Sequence, residues 1–83
     1  MALEQRVKEV IGECFQVDWR NIKNTDRFKE DLGADSLDLT DLSFRLERKF
    51  EHVKKLNITK AEEECFVSVQ DILNYLLNEE LEP

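Results

Sequence analysis

Cysteine, proline and glycine are all scarce in this sequence, and each shortage closes off a class of structure. The two cysteines, Cys14 and Cys65, form no Cys-x-x-Cys pair. They are too few for a disulfide scaffold and wrongly spaced for a zinc site. They read as reduced thiols packed as small hydrophobes in a reducing cytosol, with a bridge between them left open. One proline and two glycines leave little room for a strand-rich fold, so helices are the default. No apolar run approaches the roughly 20 residues of a membrane span, so none is expected. The amino terminus lacks a basic patch followed by an apolar run, so no secretory leader is expected either. Bases are also in deficit, 12 against 19 acids, for a net charge of −7. Nucleic acid is therefore a poor partner, because phosphate backbones are bound by lysine and arginine. Basic protein surfaces are better ones, since opposite charges steer encounter. At 83 residues the expectation is a single domain over 1–83, monomeric and cytoplasmic.

The charge is unevenly spread. Residues 26–41 carry Asp26, Glu30, Asp31, Asp35, Asp38 and Asp41 against Arg27 and Lys29. Residues 42–60 reverse the sign, with Arg45, Arg48, Lys49, Lys54, Lys55 and Lys60 against Glu47 and Glu51. From residue 61 onward every charged residue is acidic. Each block reads either as a solvated helix face or as a docking surface.

Apolar spacing predicts three longer helices and one short one. Leu3, Val7, Val10, Ile11, Cys14 and Phe15 recur at three- and four-residue steps, the mark of one buried helical face. Residues 16–35 break that period and form a long connection, in which Trp19, Ile22, Phe28 and Leu32 are scattered anchors. Connections of this length in a compact domain are uncommon and often functional. The next helix begins at Ser36, with Asp35 as its N-cap and Asp38 three residues on. Leu39, Leu42, Leu46, Phe50 and Val53 fall within an arc of roughly 80° and define its buried stripe. Leu37 and Phe44 lie on the opposite side. Either they pack against the long connection or they contact a partner beside Ser36, and the second reading is preferred. Residues 54–60 read as a second loop. Thr59-Lys60-Ala61-Glu62 matches a capping box for a short helix over about 60–66, and Ser68 to Asp71 opens the last helix. That helix carries the stripe Val69, Ile72, Leu73, Leu76 and Leu77, and the acidic tail from Glu79 to Pro83 is expected to fray.

As an enzyme the sequence is poor. The lone histidine, His52, projects away from Ser36, and no Gly-x-Ser-x-Gly elbow or base accompanies that serine. Asp31, Asp35 and Asp38 lack the glycine placement and closing glutamate of a calcium loop, so no metal is expected. As an attachment point Ser36 makes physical sense. Its hydroxyl stands at the first turn of a helix, where the dipole and free backbone N–H groups favour an anion. On position alone, an ordinary helix cap is the preferred reading of this serine.

The run Asp31-Leu32-Gly33-Ala34-Asp35-Ser36-Leu37-Asp38 resembles the modification motif of the acyl carrier proteins of fatty acid synthesis. Phe28 and Glu30 before it, and Leu42, Leu46, Glu47 and Phe50 after it, extend the likeness. So do Arg6-Val7-Lys8, Val10 to Glu13, and Val69 to Ile72 with Tyr75. The resemblance implies an all-α, small four-helix bundle whose Ser36 accepts 4′-phosphopantetheine from coenzyme A. A separate phosphopantetheinyl transferase would attach it, and the arm's thiol would carry acyl groups as thioesters to partner enzymes. It implies a non-catalytic carrier whose bundle interior can shelter the acyl tail. Asp35, Leu37, Asp38, Asp41 and Phe44 would form the face offered to acyl-processing enzymes with basic docking patches.

Three features depart from the family pattern. Arg45, Arg48 and Lys49 replace the usual acids, the segment from His52 to Asn57 is longer and lacks an acidic Ile-Pro connection, and Thr40 replaces an aliphatic contact. These departures suggest a specialised member with dedicated partners. A carrier of polyketide or other specialised cargo, or an unmodified acidic helical adaptor, are the alternatives.

Overall fold

The computed structural model describes residues 2–82. Four α-helices make up the fold: α1 (Leu3–Phe15), α2 (Ser36–Phe50), the short α3 (Lys60–Glu64) and α4 (Val69–Asn78). Among the described residues there is no named strand, and no helix is long and apolar enough to cross a membrane. This is the helical bundle that the periodicity predicts.

The apolar stripes meet in one core cluster. Val7, Ile11, Phe28, Leu42, Leu46, Phe50, Val69, Ile72 and Leu76 are its fully buried members. Each such side chain contributes about 1.5–3 kcal/mol by leaving water. The Arg6 guanidinium lies 4.9 Å from the centre of the Phe50 ring and closes one edge of the core.

Gly12 is required where α1 ends. Val17 N–H donates to the Gly12 carbonyl, and a Cβ on residue 12 would sit 2.7 Å from Val17 O. The chain then enters the long connection, which contains a 3₁₀ turn at Trp19–Asn21 capped by the Asp18 carboxylate. As expected, this connection is pinned. Ile22 and Phe28 are buried, and Trp19 and Leu32 pack against the core. Phe28 also stacks on Phe15 with ring centres 6.3 Å apart. Three backbone bonds then stitch the connection to the start of α4: Phe28 N–H to Val67 O, Val69 N–H to Asp26 O, and Gln70 N–H to Asn24 O. The last two satisfy helix N-terminal donors that have no partner within their own helix.

Several expectations need correction. The buried stripe of α2 ends at Phe50, where a turn begins, so Val53 points outward and is 55% exposed. The second loop therefore starts at residue 51, and α3 stops at Glu64. Leu77 is exposed at the margin of the α4 stripe. Cys65 caps α3 on the surface instead of packing as a small hydrophobe, while Cys14 is half-buried, and both thiols are free. The tail folds back up to its last described residues. Glu80 adopts φ 69°, Glu80 N–H donates to Leu77 O, and Leu81 N–H donates to Leu76 O. That pattern is a Schellman motif, and it buries Leu81. Pro83 lies outside the described residues.

Candidate functional site

Everything that places Ser36 is local and polar. Gly33, at φ +69°, turns the chain, and Ala34 N–H donates to Phe28 O to fix the approach to α2. Asp35 and Asp38 then cap each other: Asp38 N–H donates to Asp35 Oδ1 at 2.9 Å, and Asp35 N–H donates to Asp38 Oδ2 at 3.0 Å. Ser36 follows as the first residue of α2 and is exposed. Its hydroxyl makes none of the side-chain hydrogen bonds among the described residues. It is therefore free at the helix end that favours an anion.

Beside it opens a cleft of about 370 Å³ between α2 and the α3 region. Ser36, Leu39, Lys60, Glu63, Phe66 and Val67 are among its lining residues. A larger groove of about 830 Å³ runs along the far half of α2, below Phe44 and among Arg45, Arg48, Lys49 and Lys55. It does not reach Ser36, so the smaller cleft is the one that belongs with the free hydroxyl.

Leu37 and Phe44 stand 77% and 62% exposed, which excludes packing against the long connection. They and the acids Asp35, Asp38 and Asp41 occupy the outer side of α2. The acids differ, however. Asp41 accepts a hydrogen bond from Arg45 Nε at 2.9 Å, and that bond holds its carboxyl below the usual range. The Cys14 thiol leans on the same carboxylate at 3.5 Å. Burial, reinforced by Asp41, pushes that thiol up to about 11, so it stays protonated and unreactive. Asp35 and Asp38 have no basic partner among the described ion pairs, and each instead accepts the other's backbone N–H.

One site residue escaped the sequence reading. Glu63, in sequence one acid of a run, is buried against α2. Its Oε2 accepts from Thr40 Oγ1 at 3.0 Å and from Lys60 Nζ at 3.1 Å. Burial alone would raise its pKa, but the Lys60 and Thr40 hydrogen bonds, helped by the nearby Ser43 hydroxyl and the Lys60 charge, outweigh it and hold the carboxyl below its ordinary value. The signal was available in the spacing: Glu63 stands three residues before Phe66, on the inner face of α3. Among the described residues, no group of three or more His, Cys, Asp or Glu side chains converges as a metal site.

Known proteins match this sequence along most of its length. The family described as "Phosphopantetheine attachment site" covers residues 5–76. A Campylobacter concisus (strain 13826) protein named "Acyl carrier protein" is 42% identical over 76 residues, which is 92% of this chain and 94% of the relative. The chain belongs to the acyl carrier proteins. A second relative of that name, from Campylobacter curvus (strain 525.92), is 40% identical over the same shares. As an acyl carrier the protein is a non-catalytic carrier, and its prosthetic group is covalently bound 4′-phosphopantetheine. The residues at the start of α2 fit that group. A phosphodiester there would meet the helix N-terminus, and the cleft alongside gives a flexible arm an open flank.

Proposed function

We propose that this acyl carrier holds 4′-phosphopantetheine on Ser36 and delivers acyl thioesters to enzymes of fatty acid or related lipid synthesis in the cytoplasm. The observation that carries this reading is the free hydroxyl of Ser36 at the first position of α2, flanked by the cleft. The prosthetic group supplies a thiol for thioester formation, while the chain itself tethers, orients and partly shields the cargo. Tethering raises the effective concentration of the acyl group for each partner.

A separate phosphopantetheinyl transferase performs the modification. Asp35 and Asp38 attract its basic surface, Leu37 supplies an apolar contact next to Ser36, and Phe44 with Asp41 extends the docking face along α2. The whole chain acts as one domain and as a monomer. Arg45, Arg48 and Lys49 make the far half of that face basic, which supports a specialised carrier with dedicated partners over a housekeeping one.

Incubating the purified chain with coenzyme A and a broad-specificity transferase tests this. Intact mass should rise by one phosphopantetheine in the wild type and stay unchanged in Ser36→Ala. An unmodified wild type would favour the helical adaptor, and an equal gain in the variant would move the site elsewhere.

A further inference from the structure

The cleft that begins at Ser36 does not lead directly into an apolar interior. Glu63 stands in it, only 7% exposed, fastened to Thr40 on α2 and to Lys60 on its own helix. Behind it Ser43, also buried, donates its hydroxyl to Leu39 O, so the inner wall of α2 presents a second polar group at this level. A saturated tail passing between α2 and α3 would have to separate the Thr40–Glu63 bond and leave the buried carboxylate without that donor. Such separation is costly, because a buried charge is tolerated only while it is paired and hydrogen-bonded.

Both bonds to Glu63 end on Oε2. The Ser43 hydroxyl also lies near this carboxylate and helps hold its pKa down, while its other oxygen, Oε1, accepts none of the side-chain hydrogen bonds among the described residues. Oε1 is not sealed from solvent: among the described residues, the one fully enclosed side-chain polar atom without a partner is Asn24 Oδ1. A carboxylate has about four acceptor sites, so Oε1 retains acceptor capacity in a residue that lines the cleft. The arrangement suits a cargo that brings its own donor.

We propose that Glu63, fixed by Thr40 and Lys60, selects acyl cargo bearing a hydroxyl and keeps plain saturated tails out of the core. Glu63 is thus a specificity-determining residue. This rests on the carrier reading, since the cargo reaches the cleft on an arm held at Ser36.

Two cargoes of equal length separate the outcomes. The holo-protein is loaded with octanoyl or with 3-hydroxyoctanoyl, loading is verified by intact mass, and backbone amide shifts are compared with the unloaded holo form. In the wild type, 3-hydroxyoctanoyl should move the Glu63 and Thr40 signals, whereas octanoyl should leave Leu46, Ile72 and Leu76 in the core unmoved. Glu63→Ala and, as a milder second variant, Thr40→Val should let octanoyl move those core signals. They should also slow hydroxylamine cleavage of the octanoyl thioester at least threefold relative to wild type. If octanoyl shifts the wild-type core as far as it shifts the core of either variant, the inference is wrong. It is equally wrong if the two cargoes perturb Glu63 alike. Failure of the carrier reading looks different: no arm is attached at Ser36 and no cargo can be loaded.

Discussion

Glu63 illustrates how a residue's neighbours, more than its type, decide its role. In sequence it is the middle acid of Glu62-Glu63-Glu64, and all three would pass for solvent-facing charge. In the fold Glu62 completes the Thr59 capping box, Glu64 is exposed, and Glu63 turns inward to Thr40. Its carboxyl sits below the ordinary value, so it binds its proton less readily folded than unfolded. The stability this contributes is present above the unfolded pKa and is lost as pH falls through the lowered folded one. Glu63→Gln should therefore melt below wild type at neutral pH, with the gap closing as pH drops from about 4.5 downward. A melting-temperature gap that stays constant from pH 7 to pH 3 would contradict this account of the ion pair.

At the scale of elements, the sequence disclosed what periodicity and capping control and hid what depends on contacts far along the chain. The start of α2 was legible because Asp35 and Asp38 are spaced for a reciprocal cap, and the structure contains that cap. The exposure of Leu37 and Phe44 followed from their angle on the same helix. The Thr59 cap and the inward stripe of α4 were legible for the same reasons. Val53 fits the helical period only if that period runs past Phe50, and nothing in the spacing marks where a helix without a glycine stop ends. Leu81 was missed because its docking depends on Glu80 adopting a left-handed backbone, a conformation sequence patterns associate with glycine. That strain makes a prediction. Glu80→Gly should relieve about 1 kcal/mol of backbone cost while keeping the Leu81 contact. Its melting temperature should then rise by roughly 4–8 °C. A fall would mean that residue 80 is not left-handed in solution.

Across the whole molecule the fold keeps one end of a helix free while securing everything around it. The long connection could have been a mobile linker, yet Ile22 and Phe28 bury into the core and backbone bonds tie it to α4. Ser36 is thereby presented from a fixed base, with its hydroxyl outward and the apolar interior behind α2. Charge is organised on the same axis: acids without a basic partner among the described ion pairs at Asp35 and Asp38, an acid partnered by Arg45 at Asp41, then Arg48 and Lys49 toward the far end. This sign change along one helix gives a partner both an orientation and a register, which uniform acidity would not. The proposed carrier function depends throughout on Ser36 being the point of attachment. The most direct test is to recover the chain from its native cells, digest it, and fragment the peptide spanning Gly33 to Asp38 by tandem mass spectrometry. A phosphopantetheine released from Ser36 is the predicted result. The same peptide recovered only unmodified, or the group found on another residue, would contradict it.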